Sequence, residues 1–312
     1  MRRGNSALCA LVSLLLIAAA PKSLPRMPDG HPDLQGFWDN STVTPLERPQ
    51  AFTGRPFFSA EEAAHFERLP QYLERAVARL GDDEVNTTGE INGIWTETRR
   101  VGPDRRTSLI VDPADGKLPP LTPRARARLD AFTKGRKEHH ADDPEDLPLA
   151  ERCLIWGADP PLVPVSYNNN LQIVQTPGYV MILTEMVHDA RIIPLDGRPH
   201  LPNGIPQWKG DSRGRWEGDT LVVDTTNFTD QTRFQGSGTG LHVVERVTRT
   251  DLNTLRYDFR VEDAASFAAP WAGRIWMTRT DDRIFEYASH EGNYSMIGIL
   301  KGARFKERES QK

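Results

Sequence analysis

The chain contains very little cysteine. Its 312 residues include two cysteines, Cys9 and Cys153, and Cys9 lies in an apolar N-terminal segment. The single cysteine in the rest of the chain cannot form an internal disulfide bridge. No local signature of a nucleophile surrounds Cys153, so we predict a buried, inert thiol at that position.

The sequence also lacks the short motifs of common cofactor sites. Neither GxGxxG nor a P-loop is present, so we expect no nucleotide cofactor. The string GDSRG at 210–214 has the form GxSxG, but Ser212 lies in a predicted polar hairpin, which argues against a serine hydrolase. HxH and HExxH are absent, which argues against a locally encoded metal site. A metal site would have to be assembled from distant histidines with a carboxylate, and we predict none; the histidines are His188, His200, His242 and His290.

A strong charge of one sign is missing as well. The chain has 39 Lys and Arg residues against 43 Asp and Glu residues, a net charge of −4. The basic residues are scattered, without the stripe that binds phosphates, so we do not expect nucleic acid as a partner. A small-molecule ligand or substrate is the expected partner, and the oligomeric state stays open.

Only one long apolar run exists, and it lies at the N-terminus. Arg2 and Arg3 precede the apolar residues 7–20, which end in small side chains. This pattern predicts that residues 1–20 are a secretory signal peptide, too short to span a membrane comfortably. We therefore expect an exported protein, periplasmic or extracellular, without a stable membrane anchor.

Residues 21–150 predict an extended arm with helices and a short β-hairpin. Proline and glycine recur through residues 29–58, whose aromatic side chains we expect to dock on the body. A capping box at Ser59–Glu62 opens a helix, and Thr122-Pro123 opens another that runs to about residue 137. A further helical run is expected to about residue 80, with hairpin strands at 94–100 and 106–111.

Residues 151–312 predict an antiparallel β-barrel. Leu255, Tyr257, Phe259 and Val261 alternate with charged residues, the period of a half-buried strand. Other short runs are rich in β-branched and aromatic residues and separated by turn residues. The predicted strands are 171–175, 179–185, 190–195, 221–226, 241–250, 254–261, 274–279 and 284–290.

Several long strings carry a resemblance to a known group of proteins. They include PDLQGFWDNSTVTPLERP, EMVHDARIIPLDGRPHLP, GDSRGRWEGDTLVVDTTNF and FEYASHEGNY. The mature chain resembles a family of exported, largely uncharacterised proteins of soil bacteria, and this resemblance implies a lipocalin-like C-terminal barrel but no particular reaction. It also implies that relatives carry cysteine at position 289, paired with the position of Cys153. This chain has Ser289 there. The expected fold class is thus mainly β, a lipocalin-like antiparallel β-barrel with an N-terminal α-helical and extended extension.

Two polar groups within the strands are candidates for the site. His188, Asp189 and Arg191 lie between two apolar runs, either at the barrel mouth or in an ordinary hairpin turn. His242 and Glu245 fall on opposite faces of one strand, and Glu245 on its apolar face requires a partner such as Arg191 or Arg274. A structural ion pair is the alternative to a catalytic role for Glu245.

The C-terminal run FEYASHEGNY is a third candidate. Alternation places Glu286 and His290 on one face of the predicted strand, and Glu291 and Asn293 follow. A histidine beside a carboxylate can exchange protons near neutral pH. The alternative is that His290 and Glu291 only fasten the last strand to the N-terminal arm.

These groups lead to two hypotheses of function. The first is an enzyme that acts on a small organic molecule by general acid–base chemistry, as a hydrolase, lyase or isomerase. His188 or His290 would be the acid–base, with Glu245 or Glu291 as its partner. The expected substrate-binding residues are Asn168, Asn169, Asn170, Asp189, Arg191, His242, Tyr257, Glu286 and Asn293. The second hypothesis is a non-catalytic carrier, and an apolar lining would favour it over converging His, Glu, Arg and Tyr.

Overall fold

The architecture is mainly β. A computed structural model describes residues 23–68, 99–139, 141–156, 160–165, 167–202, 204–310 and 312. These residues form one ten-stranded antiparallel sheet and three α-helices, α1 (Ala60–Arg68), α2 (Pro123–Glu138) and α3 (Tyr294–Ser310). The strands are β1 (Gly36–Asp39), β2 (Ile110–Asp112), β3 (Asn170–Gln175), β4 (Tyr179–Thr184), β5 (Ala190–Pro194), β6 (Asp211–Glu217), β7 (Thr220–Thr226), β8 (His242–Arg249), β9 (Thr254–Glu262) and β10 (Trp271–Thr280).

The sheet is curled but not closed. Its strand order is β5-β4-β3-β1-β10-β9-β8-β7-β6, and β2 adds to β10. No backbone ladder joins the end strands β5 and β6 in the described residues. Side chains bring them together instead, since a Cβ atom added at Gly214 of β6 would lie 2.8 Å from Cγ2 of Ile193 in β5. The predicted antiparallel β class is therefore confirmed, whereas the closed barrel is wrong.

The inner face of the sheet is filled by side chains. Alternate residues of each strand point inward, as the pattern in β9 predicted, and Leu255, Tyr257, Phe259 and Val261 are all buried. Trp38 of β1 and Trp271 of β10 are also fully buried and belong to the same core. The space that a lipocalin-like barrel would offer to a ligand is occupied here by the protein's own core.

Two strands that the sequence analysis did not foresee complete the sheet. β1 lies in the region read as an extended arm, and it pairs with both β3 and β10. β6 is not among the predicted strands, because its sequence, DSRGRWE, is polar; its pairing with β7 makes it a strand. β1 and β2 lie before residue 150, yet they share the sheet with the strands that follow it.

The C-terminal segment is where the strand prediction is wrong. No strand forms at 284–290, and the chain continues into α3. The alternation argument that placed Glu286 and His290 on one face of a strand therefore does not apply. The exposed aromatic side chains Phe285 and Tyr294 show why the pattern misled, because their β propensity is not matched by burial in a sheet.

The predicted helix starts are confirmed. Ser59 Oγ accepts a hydrogen bond from the Glu62 backbone N–H at 3.1 Å, and the Glu62 carboxylate accepts one from the Ser59 backbone N–H at 2.8 Å. Thr122 caps α2 through the Ala125 N–H at 3.2 Å. The predicted helical run to residue 80 and most of the strand at 94–100 lie outside the described residues. Among the helices of the described ranges, none has the length and apolar character needed to cross a membrane.

Candidate functional site

An ion pair lies inside the curled sheet. Arg191 of β5 donates two hydrogen bonds to Glu245 of β8, at 2.5 Å to Oε2 and 2.8 Å to Oε1. The exposed fraction of Glu245 is 1%. Of the two partners that the sequence suggested for this carboxylate, the structure selects Arg191, and the geometry supports the structural alternative.

Tyr257 extends this ion pair to the chain segment before β3. Its hydroxyl donates to Glu245 Oε1 at 2.7 Å and accepts from the Leu162 backbone N–H at 2.8 Å. Burial raises the pKa of the Tyr257 hydroxyl well above its ordinary value, and the Glu245 charge acts in the same direction. We refer to Arg191, Glu245 and Tyr257 as the inner network. It fixes the position of Leu162 rather than presenting a free proton donor or acceptor.

Leu162 also forms part of the wall of a pocket with an interior volume of about 40 Å³. We refer to this pocket as the asparagine pocket. It lies where β1 ends and β3 begins, and the turn after β4 closes one side. The described lining residues are Asn40, Ile155, Trp156, Leu162, Val163, Val165, Asn168, Asn169, Asn170, Leu171, Thr184, Met186, Val187 and Lys209. The three consecutive asparagines that the sequence predicted as ligand-binding therefore lie at one site.

Asn40 is a buried lining residue with an unpaired polar atom. Its exposed fraction is 6%, and its Nδ2 donates to the Leu162 carbonyl at 3.1 Å. Its Oδ1 has no hydrogen-bond partner among the described residues and almost no accessible surface. This oxygen therefore carries the free-energy cost of a buried unpaired acceptor without being open to a molecule in the pocket.

The other polar residues of the pocket are held by their own contacts. Asn169 exchanges hydrogen bonds with the backbone of Val165, at 2.7 and 3.1 Å, so its amide stabilises the loop, the ordinary alternative for such a residue. Lys209 pairs with Asp189 at 3.1 Å, and its side chain is 13% exposed. Asp189 therefore contacts the lining residue Lys209 but is not itself among the lining residues.

The turn after β4 is strained where it lines the pocket. Val187 has a φ of 67°, a left-handed conformation that a β-branched residue rarely adopts. His188 follows with a φ of 54°, and its side chain is exposed. His188 is not among the lining residues, so the histidine predicted as the acid–base lies beside the pocket without lining it. Strain of this kind is concentrated at ligand sites, and it is consistent with one here.

His242 belongs to a different cluster, on the outer face of the sheet. Asp224 of β7 holds His242 Nε2 at 3.0 Å and His200 Nε2 at 2.9 Å. The hydrogen bond to His242 lowers the pKa of Asp224, and the same bond raises the pKa of His242. His200 also contacts Asp211 at 3.1 Å, which ties the loop before β6 to the sheet. We refer to His200, Asp224 and His242 as the outer cluster.

The C-terminal candidates lie apart from all three sites. Glu286, His290 and Glu291 are exposed. Asn293 donates to the Glu151 carbonyl at 2.7 Å, and Ser289 Oγ contacts Cys153 Sγ. Cys153 is buried, as predicted, and its contact with position 289 is the pairing that the resemblance implies for relatives with a second cysteine.

The predicted catalytic residues do not converge. His188 lies beside the pocket, His290 and Glu291 lie in the C-terminal segment, and Glu245 is inside the sheet. His242, predicted as a substrate-binding residue, lies on the outer face. The sequence analysis missed Asn40 as a pocket residue because it predicted no strand at β1. It also missed Trp156 and Lys209, which lie outside the predicted strands. The only local signal was the polar run Asp39-Asn40-Ser41 directly after the buried Trp38.

In the part of the chain that the structure describes, no group of three or more His, Cys, Asp or Glu side chains is placed to hold a metal ion. Comparisons with protein-family models, with curated proteins and with solved structures find no match. The case for a function therefore depends on the geometry alone.

Proposed function

We propose that the protein binds a small organic molecule in the asparagine pocket, as a carrier or receptor rather than as an acid–base catalyst. The lining of this pocket, in which three consecutive asparagines meet aliphatic and aromatic side chains, is the observation that carries this proposal. Amide groups can bind the polar part of a ligand, and the apolar side chains can pack on the rest of it.

The lining favours binding over proton transfer. Its described residues are aliphatic, aromatic or amide side chains for the most part, with Lys209 as the one cation. None of these described residues is a histidine or a carboxylate, the groups that the enzyme hypothesis requires. Apolar walls with a few placed polar groups are typical of sites that hold a small molecule and orient it.

The size of the pocket limits what enters. A volume of about 40 Å³ has room for a group of a few heavy atoms, or for about three water molecules. A long acyl chain does not fit, so a lipid carrier is not the form of binding that we propose. The ligand places one polar end in the pocket and leaves the rest of its body at the opening.

The inner network gives the pocket a rigid wall. Leu162 is held by Tyr257 through its backbone N–H and by Asn40 through its carbonyl. Because Tyr257 is in turn fixed by Glu245 and Arg191, the wall does not need the ligand to order it. A pre-organised wall lowers the entropic cost of binding.

The test is a screen of small neutral molecules by calorimetry and ligand-detected nuclear magnetic resonance, with Asn170→Leu as the diagnostic variant. Asn170 lines the pocket, and leucine has a similar size but no hydrogen-bonding group, so hits of the wild-type protein should bind Asn170→Leu about tenfold more weakly. The matched control is Asn227→Gly. Asn227 is not among the lining residues; it donates to the main-chain carbonyl of Leu201 at 2.6 Å, and its φ of 57° suits glycine.

Hits that lose affinity in Asn170→Leu and keep it in Asn227→Gly support the proposal. A screen without hits contradicts it, and so do hits that bind Asn170→Leu as well as the wild type.

A further inference from the structure

The C-terminal helix α3 is fastened to the rest of the protein along one face only. Asn293 ties its start to the Glu151 carbonyl at 2.7 Å, and Arg304 donates to the Ala141 carbonyl at 3.0 Å. None of the 17 residues of this helix is buried. The half-buried positions recur at helical spacing and mark the face that lies against the body. They are Met296, Ile299, Leu300, Ala303 and Arg304.

The opposite face of α3 is apolar and open. The exposed fractions are 77% at Tyr294, 52% at Ile297 and 58% at Phe305. Gly298 and Gly302 lie between these side chains, and we refer to the five residues as the open helix face. We infer that this face is the interface of a dimer, in which the α3 helices of two copies of the chain pack antiparallel. The inference concerns a surface apart from the asparagine pocket and does not depend on the proposed function.

The residues of the open helix face are arranged almost symmetrically about its centre. Tyr294 and Phe305 stand at the two ends, and Gly298 and Gly302 lie on either side of the midpoint at 299–300. When a second helix lies antiparallel across this midpoint, Tyr294 of each copy comes level with Phe305 of the other. A two-fold dimer requires a patch that is complementary to itself, and this arrangement meets the requirement.

The two glycines have no explanation within the chain. A Cβ atom added at Gly298 or Gly302 would meet no atom within 4 Å beyond the backbone of the helix itself. Glycine destabilises an exposed helix relative to alanine, because its backbone loses more freedom on folding. Two helix backbones approach most closely where side chains are missing, so a second helix accounts for both positions. A membrane surface would instead favour apolar side chains there, since buried apolar area drives insertion.

The charges of α3 argue against a parallel pair of helices. Lys301, Lys306 and Arg308 are exposed in the C-terminal half of the helix. The acidic residues of the same half are paired within the chain, Glu307 with Arg304 and Glu309 with Lys312, each at 2.6 Å. In a parallel dimer, each of the three cations would lie beside the same cation of the second copy. Like charges that face each other disfavour this orientation.

An antiparallel pair brings opposite charges together instead. Arg308 then comes level with Glu291 of the second copy, and Lys306 with Asn293. The two-fold axis repeats each of these contacts at the other end of the interface. Antiparallel helix dipoles add to the preference, because the negative end of each helix lies beside the positive end of the other.

The area of the open helix face predicts a reversible dimer. A whole aromatic side chain buries about 150–250 Å² and isoleucine somewhat less, so the exposed parts of Tyr294, Ile297 and Phe305 amount to roughly 350 Å² per copy. Two copies give about 700 Å², to which the glycine backbone and the basic side chains add. Specific interfaces below about 1,200 Å² belong to weak and transient complexes. We therefore expect association at micromolar concentrations and above.

Sedimentation velocity over a concentration series measures this association, with reductant present so that Cys153 cannot cross-link two copies. The average mass should rise towards twice that of the monomer. Gly302→Leu is the diagnostic variant, because leucine adds apolar surface and favours the helix but keeps the two backbones apart. Its dimer should dissociate at least about tenfold more readily. Gly135→Leu is the matched control: Gly135 lies in α2, the space beside it is also open, and the change should leave association as it is.

Charge reversal tests the antiparallel register. Arg308→Glu sets two carboxylates level with each other at both ends of the interface, and it should weaken association about fivefold. Adding Glu291→Arg to the same chain restores the opposite charges and should restore the association. Both residues are exposed, so neither change disturbs the fold of the monomer.

A protein that remains monomeric at about 0.5 mM overturns the inference. A dimer that Gly302→Leu leaves unchanged or strengthens also overturns it, and so does an Arg308→Glu defect that Glu291→Arg fails to repair. Co-sedimentation with phosphatidylglycerol vesicles tests the membrane alternative: monomer that binds them through α3, and binds more tightly in Gly302→Leu, shows that the open helix face is a lipid-binding surface. Weaker association in Gly302→Leu, together with repair by the double charge reversal, supports the antiparallel dimer.

Discussion

Glu245 and Asp224 are carboxylates on neighbouring strands that the sheet places on opposite faces. Val223, the neighbour of Asp224, pairs directly with Glu245 across β7 and β8. Glu245 faces inward, is 1% exposed, and is bonded by a guanidinium and a phenol. Asp224 faces outward, with a side chain that is 28% exposed, and lies between two imidazoles. Neighbouring positions of the sheet therefore hold one carboxylate that is buried and one that is partly exposed beside two histidines.

The difference lies in what can change near neutral pH. The partners of Glu245 are Arg191 and Tyr257, and neither a guanidinium nor a buried phenol titrates there. Asp224 contacts His200 and His242, and histidine is the side chain whose charge changes in that range. The inner network is therefore a fixed part of the fold, whereas the outer cluster responds to its surroundings. Three measurements test this contrast.

The largest effect is expected for Glu245→Gln. This change keeps the shape of the side chain and removes the carboxylate from a buried guanidinium. Breaking a buried ion pair from one side costs about 3–5 kcal/mol in free energy of unfolding. Urea denaturation of both proteins measures the loss, and Asp224→Asn, the same change on the outer face, should cost about 1 kcal/mol or less.

The double variant Arg191→Met with Glu245→Leu checks the reason for this loss. Replacing both charges by apolar groups of similar size should recover much of the stability, since neither charge is left buried alone. A loss below about 1 kcal/mol in Glu245→Gln would contradict the structural role of the inner network, and would return Glu245 to the list of catalytic candidates.

A second measurement converts a non-covalent contact into a covalent bond. Cys153 Sγ touches Ser289 Oγ, and the two residues join the loop before β3 to the segment before α3. Ser289→Cys should therefore form a disulfide bridge under oxidising conditions and raise the free energy of unfolding by roughly 2–4 kcal/mol. Peptide mapping without reductant detects the bridge, and thermal unfolding with and without reductant measures its effect.

Ser295→Cys, at an exposed position of α3, is the control and should form no internal bridge. The wild-type protein should show the same thermal midpoint with and without reductant. The only other cysteine that could pair with Cys153 is Cys9, and Cys9 lies in the predicted signal peptide. Two free thiols in oxidised Ser289→Cys would show that positions 153 and 289 do not meet in solution.

Seven of the eight predicted strands could be located from the sequence, because periodic burial is a local pattern. The opposite orientation of His242 and Glu245 followed from alternation alone, and the need of Glu245 for a cationic partner followed from its apolar face. β6 could not be foreseen, since its polar residues become a strand only through pairing with β7. The run at 284–290 had the composition of a strand but no neighbouring edge to pair with.

The site was predictable only in part, for a similar reason. Asn168, Asn169 and Asn170 stood out as consecutive amides, and they do line the pocket. Asn40 lies about 130 positions earlier in the chain, and only the pairing of β1 with β3 brings it to them. Likewise, Asp224 collects His200 from a loop and His242 from β8, contacts that no local spacing encodes.

The smallest expected effect is the pH dependence of the outer cluster. The pKa of His242 is raised, first by its hydrogen bond to Asp224, so its contribution to stability is complete below the ordinary histidine pKa of 6.5 and is lost as the pH rises through the folded value above it. The pKa of Asp224 is lowered, first by the hydrogen bond from His242, so its contribution is present above 3.8 and is lost as the pH falls through the folded value below that. Other charged groups at the cluster are Asp211, Arg213 and Glu262, and the Glu262 charge also raises the pKa of His242.

The stability difference between the wild type and Asp224→Asn should therefore be largest between about pH 4 and 6.5, roughly 0.5–1 kcal/mol for a partly exposed pair, and smaller at pH 8.5. Asp258→Asn is the matched control, because Asp258 is 22% exposed on the same face and pairs with Arg256 and Arg274, which keep their charge throughout this range. Urea denaturation at pH 5.5 and 8.5 measures both differences. If the Asp224 difference stays constant between these two pH values, or if that of Asp258 falls equally, then the outer cluster does not titrate as a histidine–carboxylate pair, and the contrast between the two faces of the sheet is one of burial alone.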